Sequence, residues 1–300
     1  MSTPQKHDHY GLILGFIAVS CFGFTLPMTR LAVTQLDPVF VSMGRAFFAS
    51  LVAAGILLVQ RAPRPSAKAT FSLYMVGFCI SFAFPLLVAY AMKPLPAAHG
   101  AIVIGLLPIA TTYCIHRMDH EKPSASFWQA SLLGGFTVVG YALLKAGGVF
   151  HPADILLLAT VVVGAVGYAH GAVLAKTMGG MRVMCWALVY MMPVLAVGAI
   201  PQIIRVNASE ISWTVWGAFV YLAMISQLFG MALWYKALSS GSVVKVSQVQ
   251  LLQPFLTIIF AWLFFGEQVD LLTWAAASVV VFSIQLSRRA RVRLNHSHGV

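Results

Sequence analysis

The stretch AAHGAIVIGLLPIATTYCIHRMDHE, residues 97–121, lies over VVKVSQVQLLQPFLTIIFAWLFFGE, residues 243–267, when the chain is shifted against itself by 146 positions. Pro108 then falls on Pro254, Glu121 on Glu267 and His99 on Lys245. Each proline sits in the middle of an apolar run, and each glutamate follows it by 13 residues, just beyond the end of that run. A proline inside a helix removes one backbone hydrogen bond and frees the carbonyl one turn earlier. Two such breaks at the same register predict two copies of one structural unit, residues 1–150 and 151–300.

Outward from these two segments the chain is apolar almost throughout. Of its 300 residues 60% are hydrophobic and 9% charged, and its mean hydropathy is +0.86. Soluble domains are about 45–50% apolar and about 25% charged. The chain is therefore read as an integral membrane protein. A membrane-crossing helix needs roughly 20 apolar residues. Ten runs meet that need, at about 10–33, 38–59, 71–92, 96–115, 125–144, 152–174, 183–204, 213–235, 243–265 and 271–287. The first run lacks the flanks of a cleavable signal and is expected to stay as a helix. The four cysteines (Cys21, Cys79, Cys114 and Cys185) fall in apolar runs without metal-ligand spacing, which predicts neither a disulfide nor a metal site.

Each copy holds five runs, an odd number, so the second copy enters the bilayer from the opposite side. The expected fold is all-α, with ten transmembrane helices as two inverted five-helix repeats, a plan shared by many secondary transporters. With the N-terminus in the cytoplasm, thirteen Lys and Arg lie on the inner side and four on the outer, with Arg45 and Lys245 inside runs. This bias places both termini in the cytoplasm. The net charge of +11 is then explained by retention and anionic lipid, with no role in nucleic-acid binding.

Three segments carry a resemblance. LLQPFLTIIFAWLFFGE (251–267) ends an apolar run in Gly-Glu after a mid-run proline. CFGFTLPMTR (21–30) pairs a glycine with a proline break, and DPVFVSMGRAFFAS (37–50) holds Arg45. Together with ten runs in two halves, these resemble the drug/metabolite transporter superfamily and its EamA-type ten-helix permeases. The first-half copy departs, ending in CIHRMDHE (114–121) where the family has an apolar-Gly-Glu ending. The resemblance implies transport of amino acids, other metabolites or drugs. It also implies that Arg45 pairs with helix-end carbonyls, whereas its position inside a run allows contact with substrate.

Polar groups inside lipid are costly, about 2.5–3.5 kcal/mol for an ionisable side chain at mid-membrane on insertion scales, so they face the bundle interior, water or an interface. At helical spacing Lys245, Gln248 and Gln253 fall within an arc of about 140°, with Gln250 at its edge. That face is either bonded to neighbouring helices or the wall of an aqueous path, and Lys245 either snorkels or guards the path's inner mouth. His99, His170 and Gln227 are interhelical hydrogen-bonders or parts of the path. The expected substrate-binding set is Arg45, His99, His170, Gln227, Lys245, Gln248 and Gln253, with hinges at Pro27, Pro108 and Pro254. Tyr90 and Trp234 read as interfacial aromatics, Asp270 as the N-cap of the tenth run, and Gly11/Gly15 and Gly167/Gly171 as sites of tight helix packing.

No acidic residue lies well inside a run, and no carboxylate is placed to orient the histidines. The path is cationic or neutral and suits an anion. The expected function is secondary transport, by alternating access, of small metabolites bearing a carboxylate, amino acids foremost, and in the direction of export across a bacterial inner membrane. The alternatives are a passive channel or facilitator and, lower in rank, an intramembrane enzyme, for which neither G-x-S-x-G nor H-E-x-x-H is present. A small-molecule substrate and the lipid bilayer are the expected partners, with a monomer as the working unit and no cofactor.

Overall fold

A computed structural model describes residues 3–118, 122–145, 151–241, 243–266, 270–289 and 292–293; Glu121, Glu267 and the side chain of Lys245 lie outside the described set. Among the described residues the helices fall into ten rods. α1 runs Thr3–Gly23, breaks at Phe24 and continues as Thr25–Ala32. α2 covers Phe40–Val59 and α3 Ala67–Ala91. α4 has two pieces, Ala97–Ile104 and Leu107–Met118. α5 is Ala125–Lys145, α6 Ala153–Met178, α7 Gly180–Arg205 and α8 Trp213–Ser239. α9 has three pieces, Val243–Ser247, Gln248–Leu252 and Gln253–Phe265, and α10 is Leu271–Arg289. Six rods (α1 from Tyr10, α2, α3, α6, α7 and α8) are long and apolar enough to cross a membrane, and α9 contributes a shorter apolar helix, Gln248–Phe264.

The ends of the rods follow local chemistry. Asp37 Oδ1 accepts from the N–H of Val39 at 2.8 Å, and Asp270 Oδ1 from the N–H of Thr273 at 3.1 Å, each occupying a donor that the first turn leaves open. Gly266 closes α9 in the left-handed region with φ 66°, where a Cβ would be strained.

The internal repeat is visible in the irregularities of the rods. The 146-residue shift carries Leu107, the first residue after the break in α4, onto Gln253, the first residue after the 3-10 turns of α9. It carries the π-helical turn Gly77–Ala83 of α3 onto 223–229, inside the π-helical turn Tyr221–Gly230 of α8. α5 and α10 are also related in this way and pack on each other, and the hydroxyls of Tyr141 and Thr273 are hydrogen-bonded between them. A two-residue antiparallel pair, Lys122–Pro123 against Val292–Arg293, holds the residues after α10 beside the α4–α5 connection.

The rods close on one another through small residues. A Cβ on Gly171 would fall inside the Tyr235 ring, and one on Gly180 against the backbone of Ala232 and Lys236. A Cβ on Gly11 would press on the carbonyl of Ala237 and on Val246. Tyr90 is exposed, as an interfacial ring should be, but Trp234 is fully buried, edge-on to Phe22 at 6.2 Å. Its position near the end of an apolar run suggested the interface; the small residues around it instead let the bundle close over the indole.

Gly171→Leu should force Tyr235 and its backbone apart, costing about 1–3 kcal/mol. The expected readout is a clear drop in melting temperature of the detergent-solubilised protein. Gly55→Ala, which meets nothing within 4 Å, should leave melting unchanged or slightly raised.

Candidate functional site

The irregular turns converge on one small cavity, lined by Phe22, Thr25, Leu26, Arg45, Ile80, Phe84, Ile104, Tyr168, Ser226, Gln227, Met231 and Gln253. These residues come from α1, α2, α3, α4, α6, α8 and α9. The break after Gly23 exposes Thr25, whose hydroxyl bonds that of Ser226 at 2.9 Å. The π-helical turns of α3 and α8 meet here: Gln227 Nε2 donates to the carbonyl of Ile80 at 3.2 Å and to Ser81 Oγ at 3.3 Å. π turns recur at functional sites because they displace backbone groups from the regular ladder. The 3-10 turn of α9 presents Gln250, whose Nε2 donates to the Tyr168 hydroxyl at 3.3 Å and to Gln253 Oε1 at 3.4 Å.

Arg45 is the charged member of this lining. It begins the regular part of α2 directly after the π-helical turn Phe40–Gly44 and is 3% exposed. Its Nε and Nη1 are buried without a hydrogen-bond partner among the described residues. The helix-end carbonyls that the family likeness implied are not bonded to these two atoms. An uncompensated buried charge costs several kcal/mol, and a guanidinium presents a planar fork of donors.

The cavity is small: about 30 Å³ of it is open to water centres, room for about two waters. A larger cleft of about 670 Å³ between α4, α5 and α6 has an almost wholly apolar lining, including Ile109, Leu132, Phe136 and Val162, with Tyr113 and Trp128 as its polar-tipped members.

The expected site residues divide between this cavity and other places. Arg45, Gln227 and Gln253 line it. Gln248 is buried, but neither of its side-chain polar atoms has a partner, and it lies outside the lining. His170 sits away from the cavity, with Nδ1 3.2 Å from Ser72 Oγ and its ring edge-on to Phe71. His99 also lies apart, with Nε2 2.6 Å from Asp154 Oδ1. This corrects the expectation that no carboxylate orients the histidines. Asp154 stands in the first turn of α6, where it reads as a helix cap, and the sequence carries no sign that α4 would bring His99 to it. Pro27 and Pro254 lie at the breaks of α1 and α9, and Pro108 follows the break of α4. Thr25, Tyr168 and Ser226 were not anticipated. Small hydroxyls in apolar runs carry little signal, although Thr25 stands two residues before a proline.

A match to the EamA-like transporter family covers residues 9–144 and again 151–289. The chain belongs to that family. An uncharacterized transporter from Bacillus subtilis (strain 168), YdeK, is 36% identical over 286 residues, 94% of this chain and 96% of that protein. A solved crystal structure shares the fold, with a TM-score of 0.72 at 14% identity over 93% of this chain and 98% of that one. Together with the apolar rods, the family membership identifies a multi-pass membrane protein of transporter type. In this EamA family member the polar lining is concentrated where the irregular helices meet.

Gln227→Leu removes both donations between the π-helical turns, for a loss of about 1–3 kcal/mol. It should lower the melting temperature, measured by intrinsic fluorescence in detergent, more than Gln202→Leu at the surface end of α7.

Proposed function

We propose that this protein is a secondary transporter that moves small metabolites bearing a carboxylate, amino acids foremost, by alternating access around the central cavity. The observation that carries this reading is Arg45, buried in the cavity lining with two guanidinium nitrogens unpartnered. A carboxylate would supply the two acceptors that a guanidinium fork matches. Thr25, Ser226, Tyr168, Gln227 and Gln253 are placed to orient the rest of a polar solute.

The proposed architecture is ten crossings in two inverted five-helix repeats, residues 1–150 and 151–300, with both termini in the cytoplasm of a bacterial inner membrane. The recurrence of the α4/α9 break and of the α3/α8 π-helical turn at one register supports the repeat. The strand pair that joins 122–123 to 292–293 supports a shared side for the α4–α5 connection and the C-terminal end. The working unit is a monomer in lipid, with export as the direction and no cofactor or enzymatic step. Lys245, Gln248, His99 and His170 are assigned to the approaches of the path.

Counterflow in proteoliposomes across a panel of carboxylates and their amides is the test. Arg45→Gln should weaken carboxylate substrates by about 10- to 100-fold, the loss of one charge-assisted contact, and the amides far less. Equal loss for both would reject the electrostatic reading, and flux without saturable counterflow would favour a channel.

A further inference from the structure

We propose that His99 and Asp154 form the latch that seals the cavity at the end of the bundle where α6 begins. This rests on the alternating-access reading above. His99 Nε2 and Asp154 Oδ1 are 2.6 Å apart, and their side chains are 13% and 9% exposed. His99 belongs to the first copy and Asp154 to the second, so the contact crosses from one half of the transporter to the other.

Position decides what the contact does. The piece of α4 that carries His99, Ala97–Ile104, ends on Ile104, a cavity-lining residue, and packs along α6, which carries Tyr168 on the same lining. The α4 piece and α6 are two of the walls above the cavity at this end. Parting them to admit solute separates the histidine from the carboxylate. A short, charge-assisted hydrogen bond shielded from water resists that separation, and its loss shifts the balance toward the open state. Asp154 has a second task on its other oxygen: Oδ2 accepts from the N–H of His151 at 2.9 Å, which ties the start of α6. The two oxygens thus divide between a local cap and a contact across the halves.

The repeat adds a sequence observation. In the 146-residue register Asp154 corresponds to Asp8 and His99 to Lys245, so an acidic and a basic residue recur at the same two register positions. The helices that carry them, α1 and the first piece of α9, are also neighbours.

The test uses Ile104→Cys as a reporter in the full chain, with Cys21, Cys79, Cys114 and Cys185 replaced by alanine. A membrane-impermeant maleimide is applied to right-side-out and to inside-out vesicles. His99→Gln, which leaves the Asp154 cap intact, should raise labelling from the α6-start face by roughly tenfold and lower it from the other face. Asp154→Asn should do the same. Unchanged labelling in a His99→Gln variant that melts like the parent overturns the latch. A response to Asp154→Asn alone assigns the effect to the cap and also overturns it. A reporter that reacts from neither face in any variant overturns the cavity reading itself.

Discussion

A hydrocarbon environment offers no partner for a loose backbone group, so a helix can depart from regularity only where protein covers the departure. In this chain the departures in α1, α2, α3, α4, α8 and α9 border one cavity, and the clearest tie between them is Gln227. From one π-helical turn it donates to the carbonyl of Ile80 in the register-related turn of the other half. The bond satisfies a displaced carbonyl and a buried amide together. It also joins the two halves at the level of the cavity, so the lining and the repeat rest on the same local geometry.

Charge is distributed by the same rule. At one end His99 and Asp154 are hydrogen-bonded to each other and largely buried. In the middle Arg45 has no such partner on its Nε and Nη1, beside hydroxyls and amides that are largely bonded to one another.

Much of this was legible in the sequence because the physics acts locally. Run length and hydropathy located the six long apolar spans within a few residues, and Asp37, Asp270 and Gly266 closed helix ends as residues of those types should. Pro108 and Pro254 marked the breaks, and their common register announced the two copies. What was not legible depends on azimuth and on neighbours distant in sequence. Nothing near Asp154 signals His99, and nothing near Trp234 signals that the bundle will cover it. The π-helical turns at Gly77–Ala83 and Tyr221–Gly230 carry only weak local marks, the glycines Gly77 and Gly230 and Pro85 just after the first turn, and a lone glycine or proline does not announce a π turn. Thr25 and Ser226 become a pair only once α1 and α8 have met.

The break in α1 has no counterpart in the second copy. Phe24 interrupts α1, whereas residue 170, its equivalent in the register, lies inside the unbroken helix Ala153–Met178. One half thus has an interrupted first rod and the other a continuous one. On the alternating-access reading proposed above, the two facing orientations then differ in elastic energy, and about 1.4 kcal/mol of difference is a tenfold preference between them. On that reading the unloaded protein has a home orientation written into its backbone, before any gradient acts on it.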